Sequence, residues 1–249
     1  MAFEFAAGMS LPGYFRAETV RRVVEYGHEL AHLLGFEKVG DIFDVDADTI
    51  RDAVEVVYRA HEVDELEDEP ARASRLDVVD ERIRQIAQVA DRYACRATGS
   101  RRESPLVPEG YEVYPSRMIG FVAVCGEGCG PVYFVFARYP REAALIDPNI
   151  TSVWSALSDP SEKSALRVSE AHLVQCHLRH VWLFRLVKKR FRYLRLWVQD
   201  DGEFWQKEDV DLLLGKARVY ATFLSLVSNH LQENGYEVIV PDGEAPLTE

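Results

Sequence analysis

Two short apolar runs constrain what this chain can fold into more than anything else in it. Residues 118–125 (MIGFVAVC) and 132–137 (VYFVFA) are rich in β-branched and aromatic side chains, and only GEGCGP separates them. Runs of this kind on either side of a glycine-rich bend predict a β-hairpin. Their apolar residues are consecutive rather than alternate, so neither face of either strand is written for water. The hairpin must be covered on both sides. Amphipathic helices before and after it in sequence are the expected covers.

Those helices are read from the apolar period. Val20, Val23, Val24, Leu30 and Leu34 recur at helical spacing over 17–34, and Gly35 stands where a helix should stop. A second helix is expected from about Asp48, a good N-cap, through Ile50, Val54, Val57 and His61. Residues 62–69 (EVDELEDE), closed by Pro70, then read as an acidic loop or frayed helix end. A third helix is expected over roughly 74–97, with Leu76, Val79, Ile83, Ile86, Ala90 and Tyr93 inward. Residues 98–110 (TGSRRESPLVPEG) have the composition of a linker.

Beyond the hairpin, a short helix is expected around Trp154, a long helix over 161–190 and a strand over 191–198. Asp200-Asp201-Gly202 predicts a turn into a short strand at Phe204-Trp205. A helix over 209–232, stopped by Gly235, and a closing strand at 236–240 complete the pattern. The expected fold is α+β. A helical N-terminal section (1–97) and a linker (98–110) precede an α+β domain (111–241), and a flexible tail (242–249) ends the chain. The sheet is expected to be mainly antiparallel, of four to five strands, flanked by two long helices.

Charge bears on partners. The net charge is −12, and residues 1–100 carry 12 Lys/Arg against 21 Asp/Glu. That half repels nucleic acid and anionic membrane and suits a partner with a basic face. No run of residues is apolar and long enough to span a bilayer, and the opening MAFEFAAGMSLPGYF lacks the basic and apolar regions of an export signal. The cytoplasm is the expected compartment. Four cysteines (Cys95, Cys125, Cys129 and Cys176) are then expected as thiols or metal ligands.

Three constellations could carry chemistry. His28-Glu29-Leu30-Ala31-His32 matches H-E-x-x-H, in which two histidines on one helical face hold zinc and the glutamate poises a metal-bound water. The stretch HELAHLLGFEK resembles the metzincin zinc-peptidase signature through Gly35 and departs from it at Lys38, where that signature has a third histidine. Glu55, His61 and Glu62 are the remaining candidates for a third ligand. The bland reading is an amphipathic helix with two surface histidines.

Secondly, Cys125 and Cys129 bracket the hairpin bend, while His172, Cys176 and His180 share one side of the long helix, with His177 on its flank. Packing of that helix on the hairpin end would let Cys125, Cys129, Cys176 and His180 form a tetrahedral zinc site. Otherwise the cysteines are small core residues. The glycines 126, 128 and 130 precede a strand, so they lack the helix N-terminus that a phosphate cradle needs.

Thirdly, residues 179–195 are basic and contain no acid; Arg185, Lys188, Lys189, Arg190 and Arg192 are interleaved with Phe191, Tyr193 and Trp197. That mixture fits a nucleic-acid contact or a solvated face that meets acidic residues. No complete catalytic set is present. The expected function is therefore a non-catalytic binding or accessory protein, a subunit of a larger assembly with a protein partner. A zinc-dependent hydrolase using His28, Glu29 and His32 is the alternative, and a nucleic-acid binder through Arg179–Arg195 the second.

Overall fold

The computed structural model describes residues 5–66, 79–97, 111–126, 129–158 and 170–233. The chain starts with a strand, β1 (Phe5–Pro12), runs into α1 (Ala17–Leu33), and makes two short strands, β2 (Lys38–Val39) and β3 (Phe43–Asp46). Helices α2 (Ala47–Leu66) and α3 (Glu81–Arg92) follow, then β4 (Cys95–Arg96) and β5 (Glu112–Val113), which pair with each other. The predicted hairpin is β6 (Arg117–Val124) and β7 (Val132–Arg138), in register from Arg117 opposite Arg138 to Ala123 opposite Val132. Two 3₁₀ turns, Arg141–Leu145 and Ile150–Ser152, lead to β8 (Val153–Ser158). The remainder is α4 (Glu170–Arg190), β9 (Arg195–Asp200), the single helical turn α5 (Phe204–Lys207) and α6 (Val210–Glu233).

Seven strands form one antiparallel sheet in the order β2/β3, β6, β7, β8, β1, β9, with β2 and β3 sharing one edge of β6. The expected four to five strands are too few, because the first hundred residues contribute strands as well as helices. β1 is FAAGMSLP, and its small residues carry little strand propensity. It is held instead between two neighbours, β8 and β9, with Phe5, Ala7, Met9 and Leu11 pointing to one core. Likewise 153–158 is a strand rather than a helix: Trp154, Ala156 and Ser158 are buried while their neighbours are not, a period of two. At Phe204-Trp205 the chain makes a helical turn, not a strand, since the Asp200 carboxylate accepts the Trp205 N–H at 2.5 Å and pulls the backbone round.

Both faces of the hairpin are covered, as its consecutive apolar residues require. On one face, Phe121, Phe134 and Phe136 join β1, Trp154 and the inner sides of α1, α4 and α6 in a single core. On the other, Met118, Val135 and Ala137 meet Ile50 and Ala53 of α2 and Ile86, Ala87 and Ala90 of α3. Each buried Met, Val or Ile side chain there contributes roughly 1.5–3 kcal/mol of transfer free energy. α1 approaches the sheet so closely that a Cβ on Gly27 would stand 2.8 Å from Phe134 Cε1. The α2–α3 layer stops short of the far side of the sheet, where Leu157 and Trp197 stay exposed.

Helix ends follow local chemistry. Gly35 at φ +74° lets Phe36 N–H reach Ala31 O and Gly35 N–H reach His32 O, closing α1 as expected. The cap of α2 is Asp46, two residues before the one expected; its carboxylate accepts from the Thr49 N–H and hydroxyl at 3.0 and 2.8 Å. The α2 backbone stays helical through Leu66, so the first part of the acidic run is a helix end rather than a loop. α3 begins at its Asp80 cap, and its expected first residues lie outside the described ones. The same is true of the linker, the start of the long helix, the closing strand and the tail. Among the described residues no helix is long and apolar enough to cross a membrane.

Candidate metal and thiol site

The hairpin bend and α4 meet at one end of the sheet. Cys129 sits in the bend, its N–H on Gly126 O at 3.2 Å, while His172 and Cys176 lie one turn apart on α4. Arg179, a turn further on, donates from Nη1 to Cys125 O at 2.8 Å and ties the helix to the strand end. Cys129 and Cys176 are joined in a disulfide, with Cα atoms 6.7 Å apart, where thiols or metal ligands were expected. His172 Nε2 lies 3.5 Å from Cys129 Sγ and 3.4 Å from Cys176 Sγ. These three atoms are within 4.8 Å of one another, and no other group of three metal-binding side chains among the described residues is so close.

Gly126 makes room for the imidazole. A Cβ there would stand 2.7 Å from His172 Cε1, and Glu37 Oε2 lies 3.6 Å from the same point. The other two expected ligands sit elsewhere. The buried Cys125 thiol faces Cys176 O at 3.8 Å. His180, two turns along α4 from His172, is fully buried between Phe5, at 6.3 Å between ring centroids, and Phe36, at 5.9 Å. Neither ring nitrogen of His180 has a hydrogen-bond partner among the described residues. Burial, with His177 and Arg179 adding to it, pushes its pKa down to about 3.

The spacing puts His177 on the flank of the long helix and gives it no partner; the structure supplies one. His177 Nε2 lies 2.9 Å from Asp200 Oδ1, both side chains fully enclosed. Burial raises the Asp200 pKa, but His177 and the Trp205 and Gly202 N–H groups outweigh it and hold the carboxyl below its ordinary range. The only hint in sequence was an acidic turn that follows a strand downstream of the histidine-rich helix.

The H-E-x-x-H residues are placed on α1 beside β2. His28 is half-buried, packs edge-on against Phe121, and has Nε2 3.1 Å from Gly40 O. His32 stands 4.8 Å from it, ring to ring, and with Glu29 is exposed. Of the suggested third ligands, Glu55 pairs with Arg59 and His61 is exposed on α2, while the Glu62 side chain lies outside the described residues. No third metal-binding atom among the described residues joins His28 and His32 in such a group.

The basic segment divides in two. Arg185 binds Glu208 and the carbonyls of Phe204 and Trp205, with its guanidinium 5.0 Å from the Trp205 ring. Lys188 donates to Arg192 O at 3.0 Å and to Leu194 O, closing the end of α4. Lys189, Arg190, Arg192 and Arg195 are exposed. Cations in the last turn of α4 also suit the negative end of its dipole. Separately, Ile50, Val54, Tyr58, Tyr114 and Pro140 line an open apolar groove of 480 Å³ that contains none of these residues.

Comparison with protein-family models, with curated proteins and with solved structures finds no match to the chain.

Proposed function

We propose that the protein is a non-catalytic binding subunit of a larger cytoplasmic assembly and docks a partner protein through the outer stripe of α6. One observation carries this. Val219, Phe223, Leu226 and Val227 are 60%, 45%, 63% and 39% exposed, and their spacing puts them on one face of the helix. The first half of α6 buries Leu213 and Ala217 in the main core; the second half leaves its apolar stripe in water. Contiguous exposed apolar surface of this kind marks interaction sites.

Charge selects the occupant. The flanking Thr222, Ser225 and Asn229 are neutral, so the stripe itself repels nothing. A second copy would carry the same net charge of −12 over its whole surface and repel the first at long range, whereas a neutral or basic partner would not. The partner is accordingly an amphipathic helix or apolar groove of another protein. Light scattering of the full chain, alone and mixed with each product of its neighbouring genes, tests this. The expected result is a monomer alone, a discrete heteromeric complex in one mixture, and loss of that complex with Phe223→Asp/Leu226→Asp. A homodimer of the unmixed chain, or a complex indifferent to the substitutions, contradicts it.

A second reading, nucleic-acid binding, is favoured by Tyr193 and Trp197, 43% and 55% exposed and close in sequence to the exposed Arg190, Arg192 and Arg195. Aromatic faces next to Lys and Arg are a platform for single strands. Retention on heparin that falls with salt supports it; flow-through at low salt removes it.

A further inference from the structure

We propose that reduction of the Cys129–Cys176 disulfide opens a zinc site made of the two cysteine thiolates and His172 Nε2. The proposal is independent of the docking surface on α6. Its warrant is that three side chains of the right chemistry are already assembled from two different elements. Cys129 comes from the β6–β7 bend and His172 and Cys176 from one face of α4, with the three donor atoms inside 4.8 Å. Both sulfur-bearing residues are buried and the imidazole is half-exposed, which leaves an open side for an ion to enter.

Donor type names the metal. Two thiolates and an imidazole are ligands for zinc, and calcium and magnesium prefer oxygen. Tetrahedral zinc then has one corner left for water or a carboxylate. Glu37 Oε2 lies 3.6 Å from the Cβ position of Gly126 but does not join the three donors within 4.8 Å, so water is the expected fourth ligand. Gly126 is part of the site too, because any side chain there collides with the imidazole.

The step balances simply. Two molecules of a small thiol give two electrons and two protons to the disulfide, yielding two cysteine thiols and one small-molecule disulfide. Zinc then displaces both thiol protons and takes the neutral imidazole through Nε2. Either the disulfide or the metal fastens α4 to the hairpin bend, so one contact is kept in both redox states.

Zinc titration of the full chain, oxidised and freshly reduced, with metal content read after desalting, decides the matter. About one zinc per reduced chain and none per oxidised chain is expected. Cobalt in place of zinc should give the thiolate charge-transfer and strong visible bands of a tetrahedral site. Cys129→Ser and Cys176→Ser should abolish binding, His172→Ala should weaken it about tenfold or more, and Cys95→Ser should leave it alone. Reduced chain that takes up no zinc, equal uptake by the oxidised chain, or uptake that survives Cys129→Ser/Cys176→Ser overturns the proposal. The oxidised and reduced wild type differ only in redox state, so the comparison stands even if a serine variant fails to fold.

Discussion

His177 and Asp200 meet out of reach of water, Nε2 to Oδ1 at 2.9 Å, and the contact joins the middle of α4 to the end of β9. Gly202 lies against it: a Cβ there would stand 2.8 Å from His177 Nε2 and 3.0 Å from Asp200 Oδ1. The same carboxylate accepts the Trp205 N–H that starts α5. Removing one member strands the other in the core. Asp200→Ala should therefore destabilise the fold by about 1–3 kcal/mol, read as a lower urea midpoint at neutral pH. A loss under about 1 kcal/mol would mean that the pair is not structural.

Acid should weaken the fold through His180 first. Its pKa sits at about 3 in the folded chain against an ordinary 6.5. Between those values the unfolded chain takes up a proton that the folded chain refuses. This contribution to stability is whole above 6.5 and is lost as pH falls toward 3, by up to about 5 kcal/mol. Asp200, held below the ordinary carboxylate range, adds a further loss below about pH 4 in the same direction. His180→Leu should leave stability at pH 7 unchanged or raise it by about 1–2 kcal/mol, since it removes a buried imidazole with no partner. Urea melts between pH 7 and 4 should also show a shallower slope in this variant. An unchanged slope would place the acid sensitivity elsewhere.

Tyr93 has a role that its hydrophobicity conceals. Its hydroxyl donates to Leu157 O at 2.8 Å and accepts the Leu157 N–H at 3.2 Å, while its own carbonyl takes the Tyr139 hydroxyl at 2.6 Å. One phenol thus closes the β8 backbone at Leu157. Tyr93→Phe should cost about 1–3 kcal/mol and raise amide exchange at Leu157. Exchange at Leu157 equal to wild type would contradict this.

These side chains show what the sequence could and could not convey. Tyr93 was legible as a core residue by its helical period, but its hydrogen bonds to a strand 64 residues away were not. The hairpin and its burial on both faces were readable because consecutive apolar residues admit one environment. β1 was not, because FAAGMSLP owes its conformation to β8 and β9 rather than to itself. At the cysteines, spacing offered the meeting of bend and helix only as a condition and carried nothing of the rotation of α4. That rotation brings His172 to the two sulfurs and sends His180 into the aromatic core.

Gly126 makes the imidazole's position testable without touching a ligand. Gly126→Ala should displace the His172 ring, a partly exposed side chain that can give way, so the stability cost should stay within about 1–3 kcal/mol. Zinc affinity of the reduced chain should nevertheless fall, by titration against a chelator of known strength. Affinity equal to wild type would show that the ring does not stand over Gly126.

Every functional use of the cysteines rests on Cys129 and Cys176 meeting where the bend touches α4. Peptide mapping of the mildly oxidised, unreduced chain, its remaining thiols blocked before digestion, tests that meeting most directly. The expected product is a single crosslinked pair joining Cys129 to Cys176, with Cys95 and Cys125 alkylated. A Cys125–Cys129 link, or four alkylated cysteines after oxidation, would contradict it.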